Sequence, residues 1–489
     1  MSLAAPAPNF VRAAIHGTVW RYLAFFSGKL MLFFSTVILA RLLTKDDFGV
    51  VGFAVTTIGF LDFMSDLGIA PALIYHPEDN NASITAFWLG LLISIGLFAI
   101  TWIGAPLVGL FFNDPRAVPV TQIMAFTYPI GALGNIHQTI LQKKLAFGRN
   151  FIPDVLQSIA KGMGSILLAF LGYGAWSLIG GQLSGAIIGT IGFWIVTRWR
   201  PSFTFDLKIA RSLLGYGIKI VGVDLTGILL VNIDYLLVGR YLGAVNLGIY
   251  ILAFRMPDLL ILQFARILSG VIFPIYTRMR DVPGSLRKGF LMTTRYISLV
   301  TVPVGVGLAL VARPFVLAIF TDKWSDAIPV VRAISIYAVF LSFAYNAGSV
   351  YKAGGRPEVL TWLGIARLII VLPALFWATT VSNSIVAVGW VQAFVAFLAG
   401  ILNLYVAGRL LNISSLNIFQ ALWPALQSAL FLAGAVVITL FLLDNYATWV
   451  QLIFASFFGG VFYVGALWFF QREVVNSALL QARFALSRT

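Results

Sequence analysis

The sequence predicts an all-α polytopic membrane protein of about 14 crossing helices, arranged as two six-helix lobes and a C-terminal helix pair. Three observations predict it. Hydrophobic residues make up 60% of the 489, mean hydropathy is +0.93, and only 10% are charged, against about 25% in a soluble domain. That is too little charge to cover a water-facing surface, so lipid is the solvent for most of it. The apolar runs are about 20 residues long without two-residue alternation, which selects helices over a barrel. One stretch near the N-terminus recurs halfway along the chain.

Taken in order, the apolar runs predict spans near 19–40, 48–73, 84–112, 119–141, 152–172, 175–197, 212–238, 247–273, 289–313, 327–350, 359–379, 384–407, 419–443 and 448–470. The first is too long for a signal core and carries Arg21 and Lys29, so it reads as a permanent span. Pro106, Pro129, Pro257, Pro303 and Pro373 fall inside spans and predict kinks. The domains expected are residues 1–197 (first lobe), 198–211 (linker), 212–407 (second lobe), 419–470 (accessory pair) and 471–489 (tail). No loop is long enough to fold into a soluble domain.

Loop charges set the orientation. The side that holds both termini carries 18 Lys/Arg and the other side 6, with 9 more inside spans, 33 in all. The positive-inside rule then places both termini in the cytoplasm. With no basic domain and no reader motif, the net charge of +15 does not point to nucleic acid. There is no cysteine, which excludes disulfides and thiolate chemistry, and His16, His76 and His137 lack metal-ligand spacing. No cofactor is expected.

The stretch ILARLLTKDDFGVVGFA (38–54) aligns with LVGRYLGAVNLGIYILA (237–253) at a constant offset of 199 residues. Arg41 pairs with Arg240, Asp47 with Asn246 and Gly49 with Gly248. Six spans separate the copies, so the halves share one orientation. That is a parallel repeat about an axis along the membrane normal.

Fifteen charges fall within the predicted spans: nine cations (Arg21, Lys29, Lys161, Lys219, Arg255, Arg266, Arg295, Arg332, Arg367) and six acids (Asp62, Asp66, Asp154, Asp224, Asp234, Asp258). Each costs about 2.5–3.5 kcal/mol at a helix centre, so they are expected to face a protein interior or a wet cavity. The excess of three positive charges suits an anion. Lys29, Arg255 and Arg266 are the leading substrate-binding candidates, followed by Arg21, Lys219, Arg295, Arg332 and Arg367; Arg21 and Arg367 equally fit snorkelling or lobe packing. Asp62, Asp66 and Asp224 are candidates for coupling to a proton or sodium gradient, with pairing to neighbouring cations as the alternative. Asp154 with Lys161 reads as a structural ion pair. Eleven residues apart, Arg255 and Arg266 align within about 20° on a regular helix, and Asp258, three residues after Arg255, is placed to neutralise it.

ARLLTKDDFGVVGFA, followed by FMSDLGIAPALI (63–74), resembles the N-terminal signature of the Wzx-type polysaccharide flippases of the multidrug/oligosaccharidyl-lipid/polysaccharide exporter superfamily. GAWSLIGGQLSG (174–185) also fits that branch. The resemblance implies transport, not catalysis: movement of an undecaprenyl-diphosphate-linked oligosaccharide from the cytoplasmic to the periplasmic leaflet for O-antigen, capsule or exopolysaccharide assembly. It implies alternating access between the lobes, contact with membrane lipids, and work alongside polymerase and export machinery. It makes Arg41, Asp47 and Gly49, with their repeat partners Arg240 and Gly248, structural or gating positions. Two rivals stand beside it. A drug/cation antiporter of the same superfamily needs an acidic cavity. A membrane polymerase or glycosyltransferase needs a large polar loop or a carboxylate dyad, and the nearest paired acids are Asp46 and Asp47 in a short loop.

Overall fold

The computed structural model describes residues 28–29, 31–75, 79–144, 146–282 and 284–472, without the side chains of 63, 65, 66, 75, 147 and 216–226. Among the described residues 88% are helical and none form a strand. This is a multi-pass α-helical membrane protein. Nine stretches among the described residues are long and apolar enough to cross a bilayer.

The first compact unit comprises residues 1–248. It holds α1 (Met31–Leu42), α2 (Lys45–Asp66), α3 (Ile69–Tyr75), α4 (Asn80–Phe112), α5 (Ala117–Ala125), α6 (Thr127–Lys143), α7 (Phe147–Phe170), α8 (Ala175–Thr197) and the start of α9 (Leu207–Pro257). The second, 249–489, holds the end of α9, one π turn (Asp258–Leu262), α10 (Gln263–Met279), α11 (Ser285–Leu310), α12 (Ala312–Ile319), α13 (Ala327–Ala353), α14 (Glu358–Thr380), α15 (Ile385–Leu410), α16 (Ser415–Leu442) and α17 (Thr448–Phe470).

Several predicted spans differ in detail. The span expected at 48–73 is two helices, because Leu67 and Gly68 adopt left-handed backbone (φ 40° and 70°) that ends α2. The span expected at 119–141 restarts after Phe126. The spans expected at 212–238 and 247–273 run through one continuous helical path whose ladder breaks at Gly243, with φ 79° and ψ −179°, a conformation open essentially to glycine alone.

The contacts divide the chain after residue 248. Anchors hold residues 199–213 to the rest of the first unit. Trp88 Nε1 donates to Ser202 O at 2.7 Å, and Trp199 Nε1 to Asn80 Oδ1 at 2.9 Å. Ala210 and Leu213 are buried with Ile69, Leu73 and Phe87. His137 is fully buried beside this segment, stacked on Trp194 at 4.7 Å and edge-on to Trp199 at 5.2 Å.

α7 and α8 pair closely through a glycine stripe. A Cβ at Gly181 meets Lys161 O at 2.6 Å, one at Gly185 meets Gln157 O at 3.0 Å, and one at Gly192 meets Pro153 at 3.3 Å. Small residues four apart let helix backbones approach where lipid offers no hydrophobic drive. In the second unit α13 packs on α11 and α15, and α16 on α11 and α17. The accessory pair is therefore attached through α11 and α12, with Leu432, Val436, Ala455 and Tyr463 as the shared core.

Candidate functional site

In the first unit, the repeated motif builds one end of the bundle. Thr44 caps α2: its Oγ1 accepts from Asp47 N at 3.1 Å, and Asp47 Oδ2 accepts from Thr44 N at 2.9 Å and Thr44 Oγ1 at 2.7 Å. This reciprocal capping box satisfies donors that the helix start leaves open, and it gives Asp47 its role. Asp46 pairs with Arg116, which also binds Asp114 at 2.7 Å. Asp46 and Asp47 thus have separate partners and do not form a carboxylate dyad. The hydrogen bond from Arg116 holds the Asp114 carboxyl below the usual carboxylate range, and the two acids raise the Arg116 guanidinium.

Arg240 lies across the C-terminus of α4. Its Nη1 donates to Leu110 O at 3.1 Å, and the guanidinium sits 5.7 Å from the Phe111 ring centre. A cation there satisfies orphan carbonyls and complements the helix dipole. Arg41 is exposed on α1.

Gly49 and Gly248 meet reciprocally. A Cβ at Gly49 falls 1.7 Å from Ala244 O, and one at Gly248 falls 2.0 Å from Lys45 O. Both pairs obey the repeat offset, since 248 − 49 = 199 and 244 − 45 = 199. The first turn of α2 and the first turn after the Gly243 break therefore cross backbone to backbone.

In the second unit three of the span charges lie within electrostatic range of Tyr345 on α13. Arg266, Arg367 and Asp258 all act electrostatically on its hydroxyl. Arg367, half-buried on α14, donates from Nη2 to Tyr337 Oη at 3.4 Å and lies 5.7 Å from that ring's centre. Its Nε is buried without a hydrogen-bond partner among the described residues. Asp258 pairs with Arg266 and accepts from Gln263 Nε2 at 3.0 Å. Polar side chains continue the seam: Ser269 with Ser349 at 2.6 Å, Tyr276 with Asn346 at 3.0 Å, and Asn346 with Thr294 at 2.9 Å.

This corrects the expected pairing of Asp258 with Arg255. Gln263 N–H bonds to Asp258 O, closing an i→i+5 turn just after Pro257, which has no N–H to offer. One π turn absorbs an extra residue, so positions beyond it lag by about 100°. Eight steps then bring Arg266 within about 20° of Asp258, while the eleven steps from Arg255 leave it about 80° away. Arg255 and Arg266 do not share a face. Arg255 and Arg332 are exposed, and Arg295 is half-buried with its Nε unpartnered among the described residues.

The remaining candidates lie in the first unit or outside the description. Lys29 is half-buried. Asp62 is exposed on α2 and acts on the buried Tyr128. Arg21 and the side chains of Asp66, Lys219 and Asp224 lie outside the described residues. Asp154 accepts from Asn150 Nδ2 at 2.8 Å and from Gln138 Nε2 at 3.5 Å. Sequence reasoning missed Arg116, Gln263, Tyr337 and Tyr345. Arg116 had a local signal in the turn N-D-P-R; the tyrosines had none, being aromatic residues in an apolar helix.

The chain is 25% identical over 426 residues to the teichuronic acid biosynthesis protein TuaB of Bacillus subtilis, covering 85% of this chain and 86% of that one. It is 25% identical over 370 residues to the succinoglycan biosynthesis transport protein ExoT of Rhizobium meliloti, covering 74% of each. Its fold resembles that of the lipid II flippase MurJ in an inward closed conformation, with TM-score 0.74, 14% identity, and 94% of this chain matched to 100% of that chain. A family model described as "Polysaccharide biosynthesis protein" matches residues 38–329, and the chain belongs to that family of polysaccharide biosynthesis proteins.

Proposed function

We propose that this protein flips a lipid-linked anionic oligosaccharide, of the undecaprenyl-diphosphate type, from the cytoplasmic to the periplasmic leaflet. The observation that carries the reading is a cluster in the second unit of two guanidiniums and one carboxylate, Arg266, Arg367 and Asp258, all within electrostatic range of Tyr345. Two guanidiniums against one carboxylate favour a phosphate ligand, which arginine grips bidentately. Family membership supplies the sugar-polymer context, and MurJ-like architecture supplies a fold in which a lipid-linked head group is moved.

Fourteen crossings suit this reading. Gly227–Met279 is 53 residues, about 80 Å if straight, so the break at Gly243 makes it two crossings and the nine stretches ten. α1, α2, the α5–α6 pair and α7 supply four more, 10 + 4 = 14. The reciprocal Gly49–Gly248 crossing supports a parallel repeat of lobes 1–197 and 212–407 that rock against each other. Both termini then lie in the cytoplasm. Lys29, Arg255, Lys219, Arg295, Arg332 and Arg21 extend the cationic path, and Asp62, Asp66 and Asp224 couple it to a proton or sodium gradient. Polymerase and export machinery act on the delivered units. A cation antiporter of similar architecture would place free acids where this chain places arginines, and Asp258 is already neutralised.

The test is a deletion strain scored for the leaflet in which lipid-linked repeat units accumulate. Cytoplasmic-leaflet accumulation, reversed by the wild-type gene and not by Lys29→Glu or Arg255→Glu, is the expected result. Transport that survives both glutamates overturns the anion reading.

A further inference from the structure

We infer that Asp258 is a built-in counter-anion, which Arg266 exchanges for the phosphate of the substrate, and that the π turn at 258–262 exists to place it. The inference rests on the anion-carrying role proposed above and adds a residue that competes with the ligand.

Four features carry it. First, the Asp258–Arg266 contact is single. Only Nη2 of Arg266 reaches Asp258, through Oδ1, while its Nε and Nη1 make no hydrogen bond to a described residue. A structural arginine–carboxylate pair is commonly bidentate; this one leaves two of the three guanidinium nitrogens open. Second, Asp258 keeps a second partner, since Gln263 Nε2 holds its Oδ2. When Arg266 departs, the carboxylate is not stranded, so the exchange avoids the full cost of an uncompensated charge. Third, the cluster carries two guanidiniums against one carboxylate, and Arg367 contributes a buried Nε without a described partner. A diphosphate diester, with one negative charge on each phosphoryl group, balances the pair once Asp258 has swung aside. Fourth, Asp258 reaches Arg266 only because the π turn removes about 100° of rotation. On a regular helix the two would lie about 80° apart and Arg266 would stand unneutralised.

In the empty protein Asp258 therefore lowers the cost of holding Arg266 in the bundle. In the loaded protein it competes with the ligand and weakens binding. A carrier needs that, because an anion bound too tightly is not released on the far side.

The test uses the full-length protein in detergent micelles and farnesyl diphosphate as the titrant in calorimetry. Asp258→Asn is expected to tighten binding by about tenfold and Arg266→Gln to weaken it by about tenfold. The double variant is expected to match Arg266→Gln alone, because the competitor matters only while its arginine is present. Asp258→Glu keeps the wild-type affinity. Gln263→Leu leaves Asp258 committed to Arg266 and weakens binding several-fold, a change of opposite sign that remains readable if Asp258→Asn does not fold. If Asp258→Asn leaves affinity unchanged or weaker while Arg266→Gln weakens it, the aspartate is a structural partner and the counter-anion role fails, with the anion site intact. If neither Arg266→Gln nor Arg367→Gln alters binding, the anion site itself fails.

Discussion

At Gly49 and Gly248 a hydrogen atom is the only side chain that the crossing admits. A methyl at either place lands on a backbone carbonyl, at 1.7 Å and 2.0 Å respectively, and backbone does not yield as a flexible side chain does. Gly49→Ala and Gly248→Ala are each expected to cost about 1–3 kcal/mol, read as a lower thermal unfolding midpoint in detergent. Gly460→Ala, where nothing lies within 4 Å, is expected to stay within about 0.5 kcal/mol of wild type. A second residue-scale effect concerns acid. Asp114 ionises below the usual carboxylate range because Arg116 binds its charged form. Its contribution is thus complete above the unfolded carboxylate pKa, about 3.9, and is lost as pH falls through the depressed folded value. With the Arg116 side chain 53% exposed, the contribution is at most about 1 kcal/mol. Arg116→Gln is expected to flatten the pH dependence of unfolding below about pH 4, and an unchanged slope would refute the assignment.

At the scale of elements, the π turn is the device that decides which side chains meet. Deleting Leu260, an exposed residue of that turn, removes the extra residue and leaves seven regular steps, which keep Arg266 within about 20° of Asp258. Farnesyl diphosphate binding by this variant is expected to stay at the wild-type level; a fall to the level of Arg266→Gln would show that the pairing does not follow from helical register. The glycine stripe of α8 is a second element-scale feature. A leucine at Gly185 meets Gln157 O and Lys161 and forces α7 and α8 apart, so Gly185→Leu is expected to abolish stable expression. How far these elements were legible differs with their cause. α4, α8 and α13 to α17 match the apolar runs closely, because in a membrane a run of about 20 apolar residues has few alternatives to a helix. Pro71 and Pro129 stand in the first turns of α3 and α6, just after the break at Leu67–Gly68 and the restart at Phe126; the sequence predicted only a kink at Pro129, because hydropathy does not tell a kink from a break. The Arg255–Arg266 alignment failed because it assumed 3.6 residues per turn through a segment that does not keep it. Arg116 was passed over because its partner Asp46 lies 70 residues away.

For the molecule as a whole, the absence of cysteine makes topology directly testable. Single cysteines introduced at Asn113 and at Arg198 are expected to react from opposite sides with a membrane-impermeant maleimide, Asn113→Cys from outside intact cells and Arg198→Cys only after permeabilisation. Reaction of both from the same side would break the proposed topology.

Taken by itself, the amino-acid sequence determined that the chain lives in lipid, that it crosses as helices, and that it carries more positive than negative charge into the bilayer. It also showed two stretches, 38–54 and 237–253, with glycines at the same offset. These follow from composition and spacing, which need no knowledge of neighbours. Only the tertiary structure decided which charges meet. Asp258 answers Arg266 and not Arg255, Asp46 answers Arg116, and Asp47 caps its own helix. Side-chain pairing depends on local helical pitch and on elements distant in sequence, and neither is carried by the hydropathy of a single span.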